Sequence, residues 1–236
     1  NVYYLDVDPI YFYIFLYKMK QYNITKPLPQ PKVMTLSYEY SPISITSYIK
    51  QTMSCPVLDL YGTTEFGYVF LTNQDGELAL CPELLDVDFI QIENADNLYE
   101  LVISSFKNEH MPLINYRMGD IVEMTKNQYD KFKEHGIITR IAGRTKNLIK
   151  NNGKTIVVST IDDIISKYKT IAFYQLSIIS NKRYNIKLLL HPDAYLSVVE
   201  LNSLNQELQD LLCGDVDCSI GETIAPEMSG KFALIK

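Results

Sequence analysis

Tyr61-Gly62-Thr63-Thr64-Glu65-Phe66-Gly67 places an aromatic ring, two threonine hydroxyls and a carboxylate in one short stretch, directly after the apolar, strand-like run Val57 to Leu60. A Gly-containing loop at the C-terminal edge of a strand is where open α/β sheets bind ligands. These side chains suit a nucleotide: a ring for the base, hydroxyls for phosphate and a carboxylate for a hard cation. Taken alone, the loop is compatible with ordinary turn chemistry. Three further polar blocks follow it. The first is Asn115-Tyr116-Arg117-Met118-Gly119-Asp120, after a strand-like Leu101 to Ser104. The second is Ile141-Ala142-Gly143-Arg144-Thr145-Lys146-Asn147-Leu148-Ile149-Lys150-Asn151-Asn152-Gly153, and the third is Met228-Ser229-Gly230-Lys231. No G-x-x-x-x-G-K-[ST] loop and no kinase-type signature occurs, which leaves a phosphate-loop hydrolase or kinase unsupported.

In this order and spacing the four blocks resemble the later blocks of the adenylate-forming superfamily: acyl-CoA ligases, the adenylation domains of peptide synthetases, and luciferases. Asn97-Leu98-Tyr99-Glu100-Leu101-Val102-Ile103-Ser104, continuing through Met111-Pro112-Leu113-Ile114-Asn115-Tyr116-Arg117, is most similar to the phenylacetate-CoA ligase branch. There a Gly-Glu-Leu-Val strand leads into a Pro-Leu-Ile-Arg-Tyr-Arg-Thr-Gly-Asp block; here Tyr99 replaces the Gly, Asn115 the Arg and Met118 the Thr. The resemblance covers nearly the whole chain. It implies an acid–thiol ligase that uses ATP and Mg2+ to activate a carboxylic acid as an acyl-adenylate, releasing pyrophosphate. The acyl group would then pass to coenzyme A or to the phosphopantetheine arm of an acyl carrier protein. An aromatic or other flat acid would suit the many tyrosines, and a homodimer is left open.

The resemblance also implies roles for individual residues. Tyr61 would lie against adenine, with the backbone near Gly62 and Thr63 along its edge. Thr64 would contact phosphate and Glu65 would hold magnesium. Asp120 would accept the ribose hydroxyls, and Arg144 would reach the ribose or phosphate, a duty that suits its planar fork. Lys146 falls at the hinge about which the small domain rotates. Lys150 and Gly153 belong to the loop that faces the site after rotation; a basic surface turn is the alternative for Lys150. Lys231 matches the mobile lysine that contacts the carboxylate and α-phosphate oxygens, where a point charge on a flexible stem is apt. Its alternative is a disordered cationic tail. Arg117 reads as a surface ion pair of little weight, and the acyl pocket is expected near Ser37 to Tyr40.

The superfamily's upstream Ser/Thr/Gly-rich phosphate loop has no counterpart here, and the opening on Asn1 leads us to expect a piece of a longer protein. Together with Asn115 and Tyr99 this keeps a second reading open: a degenerate or truncated, non-catalytic adenylate-binding scaffold completed by another chain.

The blocks need elements to position them. After a strand at Val2 to Leu5, Asp8 as N-cap and Pro9 at the first helical position open a helix to about Tyr22. Pro27, Pro29 and Pro31 forbid helix from Thr25 to Lys32. Val33 to Leu36, a helix from Pro42 to Met53 and Val57 to Leu60 give a β-α-β rhythm and parallel pairing. Between Tyr68 and Ile141, short runs at 68–72, 78–81, 89–93, 99–104, 121–125 and 137–141 predict antiparallel sheet or a small distorted barrel. Then come a strand at Lys154 to Val158, a helix from Thr160 to about Tyr168 capped by Ser159, and a hairpin of Phe173 to Ser180 with Asn185 to Leu190. A helix from about Ala194 to Leu212 and a strand at Val216 to Ile220 complete the pattern. The expected fold class is thus α/β and α+β. Residues 1–144 would form the C-terminal part of the large adenylation domain, and residues 145–236 a small mobile domain.

With 236 residues, 47% hydrophobic and 21% charged, the chain can bury a core. A net charge of -6 argues against a nucleic-acid partner, which needs clustered Lys and Arg. Cys55, Cys81, Cys213 and Cys218 show neither zinc spacing nor a disulfide pattern and read as reduced thiols of a cytoplasmic protein. The apolar run Ile10 to Tyr17 is too short to span a bilayer and no basic leader precedes it, so no membrane partner is expected.

Overall fold

The computed structural model describes residues 3–28, 30–81, 85–105, 110 and 112–236. Expectations that fall on Asn1, Val2, Pro29 and Met111 lie outside the described residues. In chain order the elements are β1 (Tyr4–Val7), α1 (Pro9–Gln21), β2 (Val33–Leu36), α2 (Ile43–Thr52), β3 (Val57–Thr63), β4 (Gly67–Thr72) and β5 (Leu78–Leu80). Next are β6 (Leu85–Gln91), β7 (Leu98–Ser105), β8 (Leu113–Glu123), α3 (Lys126–Asp130), α4 (Phe132–His135), β9 (Ile137–Ile138) and β10 (Arg140–Arg144). After a 3-10 turn at Thr145–Asn147 come β11 (Ile149–Asn151), β12 (Lys154–Ile156), α5 (Val158–Ile165), β13 (Ile171–Ser180), β14 (Arg183–Leu190), α6 (Val198–Leu212) and β15 (Asp215–Ile220). They make two compact units, Asn1–Val57 with Thr160–Lys236, and Leu58–Ser159. No helix among the described residues is long and apolar enough to cross a membrane.

In the first unit the Asp8 carboxylate accepts the N–H groups of Ile10 at 2.9 Å and Tyr11 at 3.0 Å, while Pro9 has no N–H to satisfy. α1 buries Ile10, Tyr13 and Leu16, each worth about 1.5–3 kcal/mol of burial. β1 and β2 pair in parallel. α2 buries Ile45 and Ile49 and packs on β13. β13 and β14 form the expected hairpin, and α6 carries the chain back so that β15 pairs with β14 in parallel.

Two helix starts differ from expectation. α5 begins at Val158, so Ser159 lies inside the helix rather than capping it, and its hydroxyl is buried without a partner among the described residues. The chain turns into the helix already inside the core, since Ile156, Val157 and Val158 are all buried. α6 starts at Val198 instead of near Ala194, because Ser197 and Glu200 form a capping box that fixes the first turn.

In the second unit β3, β4, β5 and β9 pair antiparallel in that order. A separate four-stranded antiparallel sheet runs β10-β8-β7-β6. Antiparallel sheet rather than a barrel is therefore the outcome. Val69 and Phe70 of β4, Leu101 and Ile103 of β7, Val122 of β8, Met124 and Ile138 share one core. β7 is buried along its whole length, including Glu100, Ser104 and Ser105. The helices α3 and α4 were not expected; the signal was a second capping box, Thr125 with Gln128. β11 and β12 form a small hairpin whose two-residue turn, Asn152-Gly153, has positive φ at both positions (49° and 74°), the requirement of a type I′ turn.

Candidate functional site

The Tyr61 block is a hairpin end rather than a loop. β3 continues past Leu60 to Thr63, because β4 supplies backbone partners, Tyr61 opposite Phe70 and Thr63 opposite Gly67. The register shifts between Tyr61 and Gly62, a bulge. Gly62 is required there: an added Cβ would meet the Gly67 carbonyl oxygen at 2.9 Å. Thr63 closes the turn by accepting the Phe66 N–H on its hydroxyl at 3.1 Å. The Phe66 ring is buried edge-on against Tyr116 at 6.0 Å, which leaves Thr64 and Glu65 exposed at the tip.

Asp120 is aimed by a second irregularity. In the β7–β8 pairing Glu100 faces Ile121 but Val102 faces Arg117, so β8 carries extra residues at 118–120. Gly119 absorbs the bend at φ 71°, in the left-handed region that favours glycine. The Thr145 hydroxyl donates to the Gly119 carbonyl at 3.3 Å and holds the bulge. On the other side β10 places Arg144 directly opposite Asp120, again next to a register shift. Bulges beside functional sites re-aim side chains in this way.

The result brings Tyr61, Asp120 and Arg144 together. The Tyr61 phenol donates to Asp120 Oδ2 at 2.8 Å; Arg144 donates from Nε to Oδ1 at 2.6 Å and from Nη2 to Oδ2 at 3.3 Å. The Asp120 side chain is 7% exposed and that of Arg144 is 53% exposed, so a buried carboxylate is neutralised by a cation that reaches it from the surface. Burial first, and then the Asp120 charge and hydrogen bond, push the Tyr61 phenol well above its ordinary value, which keeps it a donor. The hydrogen bond to Asp120 raises the Arg144 guanidinium further.

The remaining candidates are distributed differently. Lys146 is exposed in the 3-10 turn that follows β10. Lys150 forms an exposed ion pair with Glu93 at 3.4 Å. Arg117 is more than a surface pair: it donates from Nε to Glu100 Oε1 at 3.1 Å and pairs with Oε2 as well, and Glu100 is buried. Such a two-pronged bond compensates a carboxylate that the sequence alone would not place inside. Lys231 belongs to the other compact unit, where Asp8, Glu39 and Tyr11 surround its turn. Sequence reasoning did not single out those three for this task, and no local pattern marks them. Near the expected acyl pocket, the Ser37 hydroxyl donates to Asp6 at 2.7 Å and the Tyr40 phenol to Asp162 at 3.2 Å. Among the described residues no group of three or more His, Cys, Asp and Glu side chains is placed to hold a metal.

No protein-family model matches the chain. Over 113 residues, 47% of this chain and 24% of the other, it is 32% identical to a curated protein of Staphylococcus aureus, Protein CapK. Among solved structures, 2-hydroxyisobutyryl-CoA ligase in the postadenylation state, in complex with R3-HIB-AMP, superposes with a TM-score of 0.71 at 14% identity, covering 99% of this chain and 54% of that one. The amide bond synthetase McbA from Marinactinospora thermotolerans gives 0.69 at 11% identity, covering 97% of this chain and 50% of that one. O-succinylbenzoate coenzyme A synthetase (MenE) from Bacillus subtilis, in complex with ATP and magnesium ion, gives 0.65 at 15% identity, covering 99% and 50%. The chain spans about half the length of these solved structures, and at such identities the likeness speaks for the fold.

Proposed function

Because the chain has the fold of the C-terminal part of the adenylate-forming ligases, we propose that the protein activates a carboxylic acid with ATP to an acyl-adenylate, releasing pyrophosphate. The observation that carries this reading is the bulge-aimed Tyr61–Asp120–Arg144 cluster at the end of the β3–β4 hairpin. Oδ1 of Asp120 accepts one bond and each carboxylate oxygen has two lone-pair directions, so one ribose hydroxyl fits without displacing anything. A second would replace the 3.3 Å contact of Arg144 Nη2. Arg144, half in solvent, is then free to turn a nitrogen toward phosphate.

Glu65 is exposed on a turn with two threonine hydroxyls beside it, which fits a hard cation that fills most of its shell with phosphate and water oxygens. Magnesium bound there would neutralise charge on the phosphates. Thr64 would hold a phosphate oxygen, and Lys231 would steady the oxygens of the reacting carboxylate and α-phosphate. We further propose that residues 145–236 act as the small domain, pivoting near Lys146 so that the Lys150 and Gly153 hairpin serves the second step. That step would pass the acyl group to the thiol of coenzyme A or of a carrier protein. Four free cysteines fit a cytoplasmic setting.

Pyrophosphate release trapped with hydroxylamine, measured on the full-length protein across aromatic and aliphatic acids, tests the proposal. Release with at least one acid, slowed by about a hundred- to a thousandfold in Lys231→Ala, is the expected result. Absence of release with every acid would favour the non-catalytic scaffold, and a rate unchanged by the substitution would remove the role of Lys231.

A further inference from the structure

The turn that carries Lys231 is held by side chains from the other end of the chain. Gly230, on one side of Lys231, accepts a hydrogen bond from the Tyr11 phenol at 2.6 Å. On the other side the Phe232 N–H donates to both oxygens of Glu39, at 3.0 and 3.3 Å. The Phe232 ring is buried edge-on against Tyr11 at 5.4 Å and Phe173 at 5.7 Å. Lys231 itself is near enough to Glu39 and Asp8 for its charge to hold down both carboxyls, although burial is the larger influence and raises them. The segment that bears Glu39 is itself held four residues later, at Ile43. Asp162 of α5, almost fully buried, accepts the Ile43 N–H at the start of α2 at 2.9 Å, where Pro42 provides no side-chain cap.

Glu39 is presented by a strained backbone. The Glu39 N–H donates to the Ser37 carbonyl at 2.9 Å around Tyr38, whose φ is 74°. A γ-turn of this positive-φ kind is rare and costs free energy for a residue with a bulky ring, and such strain concentrates at functional sites.

We propose that Glu39, set by the Tyr38 turn, is the positioning residue that seats the Lys231 turn for acyl-adenylate formation. The inference rests on the adenylation reading above. It acts through Lys231 and touches no substrate. Gln at this position keeps an oxygen for the Phe232 N–H but loses the charge that faces Lys231, whereas Ala loses both.

Two measurements on the full-length protein test it, and they separate its failure from that of the adenylation reading. The first needs no substrate: hydrogen exchange, read by mass spectrometry, at the Phe232 amide, whose N–H donates to Glu39. The Phe232 amide is expected to exchange several-fold faster in Glu39→Ala than in the unsubstituted protein, with Glu39→Gln between them; equal rates in all three would overturn the proposal. The second is hydroxylamine-trapped pyrophosphate release with whichever acid supports it. Misplacing a reacting group by about 1 Å costs up to roughly a hundredfold in rate, so the maximal rate should fall at least tenfold in Glu39→Ala with the KM for ATP unchanged. A loss confined to KM would overturn it. If no acid supports release, the adenylation reading fails while the exchange rate still decides whether Glu39 holds the Lys231 turn. Tyr11→Phe, which removes only the Gly230 contact, provides the same two readouts at smaller amplitude should Glu39→Ala not fold.

Discussion

The Tyr61–Asp120–Arg144 cluster and the Lys231 turn present charged groups for the same proposed reaction, yet they are built in opposite ways. The cluster stands on paired strands: β8 and β10 set Asp120 against Arg144 by register, and a buried carboxylate links the two sheets through Tyr61. Lys231 stands on an exposed turn near the chain's end, held at its neighbours by Tyr11 and Glu39 across sequence separations of 219 and 193 residues. A group that must bind ribose in one fixed geometry gains from strand register and low exposure, since neither reorganises on binding. A group needed in one conformation only is better held by a few polar contacts that are individually modest, about 0.5–1.5 kcal/mol each. On the proposed reading the cluster would be a fixed corner for the nucleotide and Lys231 a conditional cation.

The sharpest way to break this comparison is Lys231→Ala. If Lys231 stabilises charge only as the adenylate forms, the rate of pyrophosphate release should fall by about a hundred- to a thousandfold while the melting temperature stays put. A fall in stability of similar weight would make Lys231 structural, like the cluster.

Next comes Arg144→Met, which keeps the stem of the side chain and strands the buried Asp120 charge. Removing one partner of a fully buried pair costs about 3–5 kcal/mol. Because Arg144 is half in solvent, we expect about 2–3 kcal/mol in urea unfolding, together with weaker binding of AMP by calorimetry. Tyr61→Phe should cost less, about 1–2 kcal/mol for one hydrogen bond to a charged acceptor, and should leave the Arg144 contact intact. Equal costs for the two variants would mean that Asp120 is held by its surroundings rather than by this pair.

The smallest effect concerns the unit that bears Lys231, and it is a pH dependence. His191 stacks on Tyr48 at 5.0 Å, and its Nδ1 lies 3.0 Å from the Tyr13 hydroxyl. Burial first, and then the nearby Lys20 charge, hold its imidazole below the ordinary value of 6.5, so the fold prefers the neutral ring. A lowered folded-state pKa on a basic group means that the unfolded chain binds the proton more readily. The stability His191 contributes is therefore complete above about pH 6.5 and is lost as the pH falls below it. Melting temperatures should drop between about pH 7.5 and pH 5.5, and His191→Gln should flatten that drop. Identical slopes in the two proteins would remove His191 from this account.

Much of this was legible in the residues because the signals are local. Asp8-Pro9 opens α1 as its types require, Pro27 and Pro31 lie outside any helix, and the hairpin of β13 and β14 falls where alternation predicts it. The helix starts failed where a choice among polar residues was needed. Ser159 looks like a cap and is buried inside α5, whereas Ser197 with Glu200 and Thr125 with Gln128 are the boxes that the chain uses. The Tyr61 block was read as a loop because glycine and threonine are turn formers, yet β4 draws it into a strand as far as Thr63. Arg117 was discounted because nothing near it in sequence marks Glu100, 17 residues earlier, as buried.

The residues alone marked which side chains are of types suited to nucleotide chemistry, in what order, and which segments turn or stop, since those depend on side-chain type, φ preferences, caps and periodicity over a few positions. Only the tertiary structure decided that Asp120 meets Arg144 and Tyr61 through two bulges, and that Glu39 and Asp162 each reach a backbone N–H 193 or 119 residues away. The reason is physical: a one-residue change in strand register turns a side chain to the other face, and register is fixed by packing across the whole sheet, which no short window of sequence contains.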